Sequence, residues 1–281
     1  MKISGIYFYG TNLTMEILNV SAECFPIAKV GGLADVVGAL PKYQQKEGVD
    51  SKVIMPFYDN DFAKDQDFIQ MFKGNLKLDK LQYKFEILTP RTPIDFPVYL
   101  VNIPGLFDRP EVYSYEDDVE RFLAFQLAVL DWMLNLDKKP TIVHAHDHHT
   151  GFISFLMSHA QGYEALKEIP TVFTIHNAQY QGQFGYDKLR YFPDFDLKKM
   201  GLIDWEGAIN PLATAIKCSW RVTTVSPGYL EELKSNANGL EELIDQESEK
   251  FSGILNGIDT KIWNPETDKY LVRNYSNKAS K

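Results

Sequence analysis

One pattern constrains the fold more than any other: a short apolar run ends in polar residues, and a helical period or tight turn follows. It is read in "MEILNVSAE" (15–23), in the run near 52–57, in "PTIVHAHD", in "IPTVFTIHN" (169–177), in "SWRVTTVSPGY" and in "FSGILNGID" (251–259). Apolar runs of four to eight residues bounded by turn signals suit strands buried on both faces. Between them the spacing predicts a helix from Gly32 to about Lys46, with Leu33, Val36, Val37 and Leu40 on one face. A second helix is expected over 117–136, where acids precede "ERFLAFQLAVLDWMLNL" and complement the helix dipole. Ser226 reads as an N-cap with Pro227 at the first helical position. Strand, helix, strand within about 45 residues is a βαβ unit, and such units build parallel sheets. The expected fold class is α/β, a doubly wound parallel sheet. Residues 58–118 fit less well, with "YKFEIL" and "FPVYLVNI" as short strand candidates among prolines and charges. No internal repeat or low-complexity tract is visible.

Composition removes several function classes. A net charge of -9 argues against a broad nucleic-acid surface, which needs clustered Lys and Arg. Cys24 and Cys218 make neither a disulfide framework nor a CxxC metal site. No apolar run approaches the roughly 18 residues of a membrane span, and no small-residue cleavage site follows the N-terminal apolar patch. The expected location is the cytoplasm. No G-x-S-x-G elbow occurs, and neither cysteine is flanked like a nucleophile.

In doubly wound sheets ligands bind outside the carboxyl ends of the strands. Polar residues collect at those ends here: Glu23 with Lys29; His144, His146 and Asp147; His176 and Asn177; Ser226; Asn256. In "AKVGGLADV" the glycines Gly31 and Gly32 let backbone approach a ligand, and amides opening a helix favour an anion. Lys29 adds a point charge, and Asp35, one turn on, could meet a hydroxyl. The alternative is a plain turn with an exposed lysine, since the spacing is neither a P-loop nor G-x-G-x-x-G. "HAHDHH" (144–149) puts His144 and His146 on one strand face. Zinc is one reading, but no further Cys or His lies at ligand spacing. Asp147 facing a polyhydroxyl ligand is the other. His176 reads as a cleft residue or a satisfied buried histidine, and Asn256 as a ligand contact or an Asn-Gly turn.

Taken together, "SAECFPIAKVGGLADVVGALP", "VHAHDHHTG", "VFTIHNAQYQGQF", "TTVSPGY" and "GILNGIDTKIWNPETD" resemble, in order, the landmarks of the bacterial glycogen synthases and plant starch synthases. The resemblance implies a Rossmann-like N-terminal half of a GT-B glycosyltransferase over residues 15–268. Residues 1–14 would be a dispensable extension, and 269–281 the start of a linker to an absent C-terminal nucleotide-binding domain. It implies a retaining enzyme that moves glucose from ADP-glucose to the non-reducing end of an α-1,4-glucan, with no metal and no cofactor. It assigns Lys29 and Gly32 to the nucleotide phosphates, Gly31 beside them to substrate binding and Asp35 to the nucleotide-sugar site. His176 and Asn256 would bond the donor glucose, Asp147 would line the reaction centre, and Glu23 would lie on the acceptor side. Asp147 and His176 are thus the expected catalytic pair. The partners implied are the donor, a glucan such as glycogen or a maltooligosaccharide, and the second GT-B domain, with no nucleic acid or membrane.

There are departures. His148 stands where the family usually has Trp, Val30 where Thr or Ser is usual, and the 58–118 segment is shorter than in many members. The resemblance gives the family's diphosphate-binding Arg and Lys to the second domain, so this chain alone is expected to transfer glucose poorly or not at all. A non-catalytic glucan- or nucleotide-binding half-protein, another GT-B nucleotide-sugar transferase, and a metal hydrolase built on HAHDHH are the competing readings.

Overall fold

The computed structural model describes residues 15–276; the expected 1–14 extension lies outside them. Strand β1 (Glu16–Val20) leads through the loop of interest into helix α1 (Gly32–Lys46) and strand β2 (Asp50–Pro56). After a one-turn helix α2 (Asp61–Lys64) come β3 (Phe68–Leu78), β4 (Leu81–Pro90) and β5 (Val98–Asn102). The long helix α3 (Asp118–Asn135) precedes β6 (Ile142–His146), α4 (Ile153–His159) and β7 (Thr171–Ile175). A two-residue ribbon, β8 (Asp204–Trp205) with β9 (Ala208–Ile209), leads to α5 (Pro211–Cys218) and β10 (Arg221–Thr224). Helices α6 (Pro227–Leu233) and α7 (Glu241–Gln246) and strand β11 (Phe251–Gly253) follow.

Nine strands form one sheet in the order β11-β10-β7-β6-β1-β2-β5-β4-β3. Neighbours from β11 to β5 are parallel. The expected α/β parallel sheet is therefore present. What the sequence reading lacked is β3, which pairs antiparallel with β4 and carries the sheet outward by a hairpin. Its stretch "FIQMFKGNLKL" has only Leu76 and Leu78 buried, so no clean apolar face marks it. Pairing with β4 and packing of α3 against it supply what the pattern lacks. Helix α5 was also missed: it is eight residues long, with Asn210 as N-cap and Pro211 opening it.

Helix α1 has its expected bounds but not quite its expected face. Leu33, Ala34, Val37 and Pro41 are buried, whereas Val36 and Leu40 are half-buried. A Cβ on Gly38 would lie 2.4 Å from the Phe25 carbonyl oxygen, so the turn before α1 packs where only glycine fits. Ser226 caps α6 as expected, its Oγ accepting from the Tyr229 amide at 2.9 Å. No described helix is long and apolar enough to cross a membrane.

The sheet order reverses at its centre. From β1 the chain steps to β2 on one side, and β6, entered after α3, lies against β1 on the other. Val20 pairs with Ala145, so the loops leaving β1 and β6 emerge side by side at a topological switch point.

Candidate functional site

The loop after β1 is held by its own carboxylate. Glu23, 3% exposed, accepts from the Val30 and Gly31 amides at 2.5 and 2.9 Å through Oε2. Its Oε1 accepts from the Tyr113 hydroxyl at 2.7 Å. The Gly31 amide is thus held by the protein's own carboxylate, and Glu23 braces the loop. Gly32, exposed at the first position of α1, is left as the loop's open glycine. The Lys29 ammonium sits 2.7 Å from both Asp35 oxygens.

Lys29 also lies over the rings of Phe25 and Trp263 at 5.9 and 5.8 Å. Those rings line a cavity of about 200 Å³ with Asp35, Asn256, Asp259 and Ile262. The residues after β11 are brought to α1 by Lys42, whose ammonium bridges Asp259 at 2.8 Å and Asp95 at 2.7 Å. That pairing holds the Asp259 carboxyl below its usual range against the opposing effect of burial. Asp259 in turn accepts from the Lys261 amide at 2.9 Å. Asp35 and Asn256, distant in sequence, thus line one cavity, and Lys29 meets its lining through the Asp35 pair and the Trp263 ring.

The second cluster stands at the ends of β6 and β7. Asp147, 8% exposed, has φ 56°, a left-handed conformation that a non-glycine residue adopts at a cost. Its Oδ1 accepts from the His176 amide at 2.7 Å and the Asn177 amide at 3.4 Å. Burial pushes the Asp147 carboxyl up to about 7; the two amide bonds oppose the rise and the nearby Glu23 charge adds to it. The Glu23 charge thus acts on Asp147 across the switch point.

Around Asp147 the histidines are kept neutral. Burial lowers His144 to about 4 and His148 to about 4. It lowers His176 to about 3, with His144 nearby adding to the fall. His146, fully buried, is lowered too. The rings of His144 and His146 lie 4.1 Å apart, on one strand face as the alternation requires. The His144 Nε2 meets the Thr174 hydroxyl at 2.6 Å, and the His146 Nδ1 meets the His176 Nε2 at 3.1 Å. Ring nitrogens spent on neighbours in this way suit a positioned polar network. Among the described residues no three His, Cys, Asp or Glu side chains are arranged to hold a metal.

Two residues that sequence reasoning did not single out shape this site. Tyr113 donates to Glu23 and stacks on His149 with ring centroids 4.3 Å apart. Nothing in its sequence context marks it, because the contact spans ninety residues of chain. Arg121 is fully buried on α3, its Nε donating to the Leu106 carbonyl at 2.8 Å and its Nη1 to that of Val112 at 3.3 Å. The signal was visible: one arginine inside an otherwise apolar helical run. It ties down the loop that carries Tyr113.

The family model of the starch synthase catalytic domain matches residues 16–246. A glycogen synthase of Flavobacterium johnsoniae is 53% identical over 263 residues, covering 93% of this chain and 56% of that protein. A glycogen synthase of Streptococcus agalactiae serotype Ia is 39% identical over 267 residues, again with 56% of that protein covered. Among solved structures, the catalytic domain of starch synthase IV from Arabidopsis thaliana, bound to ADP and acarbose, superposes with a TM-score of 0.83 at 32% identity. The match takes in 95% of this chain and 56% of that one. The chain spans just over half the length of the relatives it matches.

Proposed function

This chain belongs to the starch synthase catalytic-domain family, and we propose that it forms one side of a retaining glucosyltransferase site that moves glucose from ADP-glucose to an α-1,4-glucan in the cytoplasm. The observation that carries this reading is the cavity lined by Asp35 and Asn256, with Lys29 paired to Asp35 beside it and Asp147 holding the His176 backbone at the neighbouring strand ends. A solved relative that holds ADP supports a nucleoside diphosphate as the leaving group.

In this reading Lys29 exchanges its ion pair with Asp35 for the donor diphosphate, and the Gly32 amide opening α1 assists. The exchange is inexpensive because the pair is substantially solvated, its side chains 40% and 29% exposed. Asn256 and His176 orient the donor sugar. The acceptor hydroxyl forms its bond to the anomeric carbon as the bond to the diphosphate breaks, and the hydroxyl proton passes to the departing phosphate oxygen. No protein nucleophile is required, and positioning with charge stabilisation supplies the acceleration. Asp147, buried beside this centre, holds the backbone of His176 in place.

The test is glucose transfer from ADP-glucose to glycogen by the 281-residue chain, run beside the full-length Flavobacterium johnsoniae relative. Binding of ADP-glucose by the chain, lost in Lys29→Ala, with transfer in the longer protein, is the expected result. A chain that binds neither ADP-glucose nor maltooligosaccharide would overturn the reading.

A further inference from the structure

One buried hydrogen-bond chain runs behind the site and belongs to none of the roles above. Asn19 on β1 is 1% exposed. Its Nδ2 donates to the Lys52 carbonyl at 3.0 Å and to the Ser51 hydroxyl at 3.0 Å. A carbonyl oxygen can only accept, and the single Ser51 hydroxyl proton goes to the Gln44 Oε1 at 2.6 Å. Both partners therefore demand the amide nitrogen, which turns the Asn19 Oδ1 toward the His146 Nε2, 3.4 Å away. An amide oxygen accepts only, so His146 must carry its proton on Nε2. Burial keeps that ring neutral, and a neutral imidazole with Nε2 protonated has a bare Nδ1. The atom facing that bare nitrogen at 3.1 Å is the His176 Nε2, which must then be the donor.

We propose that Asn19 is a positioning residue: through His146 it fixes His176 as the Nε2–H tautomer, so that the His176 Nδ1 is available only as a hydrogen-bond acceptor. A ligand group meeting that nitrogen has to donate, as a sugar hydroxyl can and a phosphate oxygen or carbonyl cannot. The relay thus selects a hydroxyl over an anion at the end of β7. Reversing it would set the His146 lone pair against the Asn19 oxygen, or the flipped amide oxygen against the Lys52 carbonyl. Either arrangement leaves buried acceptors opposed, which is the costly outcome for such groups. The assignment of the tautomer rests on hydrogen-bond geometry and on the burial that keeps His146 neutral; that the donating group is the donor glucose rests on the function proposed above.

The primary experiment is long-range proton–nitrogen NMR of the whole chain labelled with ¹⁵N-histidine near neutral pH, the His176 ring identified by its loss in His176→Gln. A protonated Nε2 on both His146 and His176 is expected, and a protonated Nδ1 on His176 would overturn the proposal. This reading needs no variant of Asn19 to fold. In Asn19→Leu the His176 ring should become a mixture of tautomers, with affinity for ADP-glucose falling about 3- to 10-fold while affinity for ADP stays the same. A folded Asn19→Leu chain that keeps the pure Nε2–H spectrum would sink the relay. Failure of the wild-type chain to bind ADP-glucose would count against the proposed function instead, and the wild-type spectrum would still decide the tautomer.

Discussion

The two clusters at the switch point are built on opposite principles. The loop before α1 keeps its working charge in water, where Lys29 and Asp35 form a solvated pair. At the ends of β6 and β7 the polar groups are buried, and Asp147 and His146 are held by hydrogen bonds drawn from three strands or their ends. Solvated pairs rearrange at little cost, whereas a buried network is set in advance and costly to disturb. Under the proposed function, a diphosphate that must be bound and released suits the first, and a sugar that must be oriented suits the second. Glu23 stands between them, anchored to the loop on one side and to Tyr113 on the other.

The comparison can be broken most severely through the buried side. Arg121→Ala removes a fully buried guanidinium that donates to two carbonyls and lies 4.6 Å from Tyr115. A loss of about 3 kcal/mol in urea unfolding is expected, because its partners are left desolvated and unpaired. A loss under about 1 kcal/mol would show that the Tyr113 loop does not depend on it.

Glu23→Gln should have the next largest effect, roughly 1–2 kcal/mol, since it exchanges charge-assisted bonds for neutral ones at two amides. Amide hydrogen exchange at Val30 and Gly31 should accelerate, and unchanged protection there would mean that the loop holds itself without the carboxylate.

Acidity separates the two clusters without mutation. The histidines of the buried side, lowered to about 3 or 4 in the fold, stay neutral while the unfolded chain takes up protons below its ordinary value near 6.5. Their contribution is present above that value and is lost as pH falls toward 4. Asp147 works in the opposite sense: raised to about 7, it favours the fold below its unfolded value near 4, and that favour is lost as pH rises through 7. Thermal melting across this range should therefore show stability falling on acidification below 6.5. In Asp147→Asn that opposing contribution is gone, so stability should fall more steeply from pH 7 to 4 than in the parent; a pH profile identical to that of the parent would contradict the burial of that carboxyl.

Smallest in stability is Lys29→Ala, expected within about 0.5 kcal/mol because the pair is exposed. A drop in melting temperature larger than that of Glu23→Gln would reverse the contrast between the clusters.

Much of this was legible in the chain because strands buried on both faces leave a plain apolar signature, and α1 and the Ser226 cap carry local signals of their own. The strand β3 was not, since its residues are mostly exposed and only its pairing with β4 makes it a strand. The candidate positions Lys29, Asp147, His176 and Asn256 could be read as strand-end polar residues, and Gly31, Gly32 and Asp35 from the glycine turn that opens α1. Which of them would meet could not, because Asn256 reaches the Asp35 cavity by way of the Lys42–Asp259 pair, across more than two hundred residues.

By itself, then, the sequence determined the parallel sheet and the end of it where polar residues gather, since both follow from periodicity and local turn chemistry. Only the tertiary structure decided that Glu23 occupies the loop amides, that Asp35 pairs with Lys29, and that Asn19 reaches His176 through His146. A hydrogen bond is set by distance and direction in space, and a one-dimensional pattern holds neither.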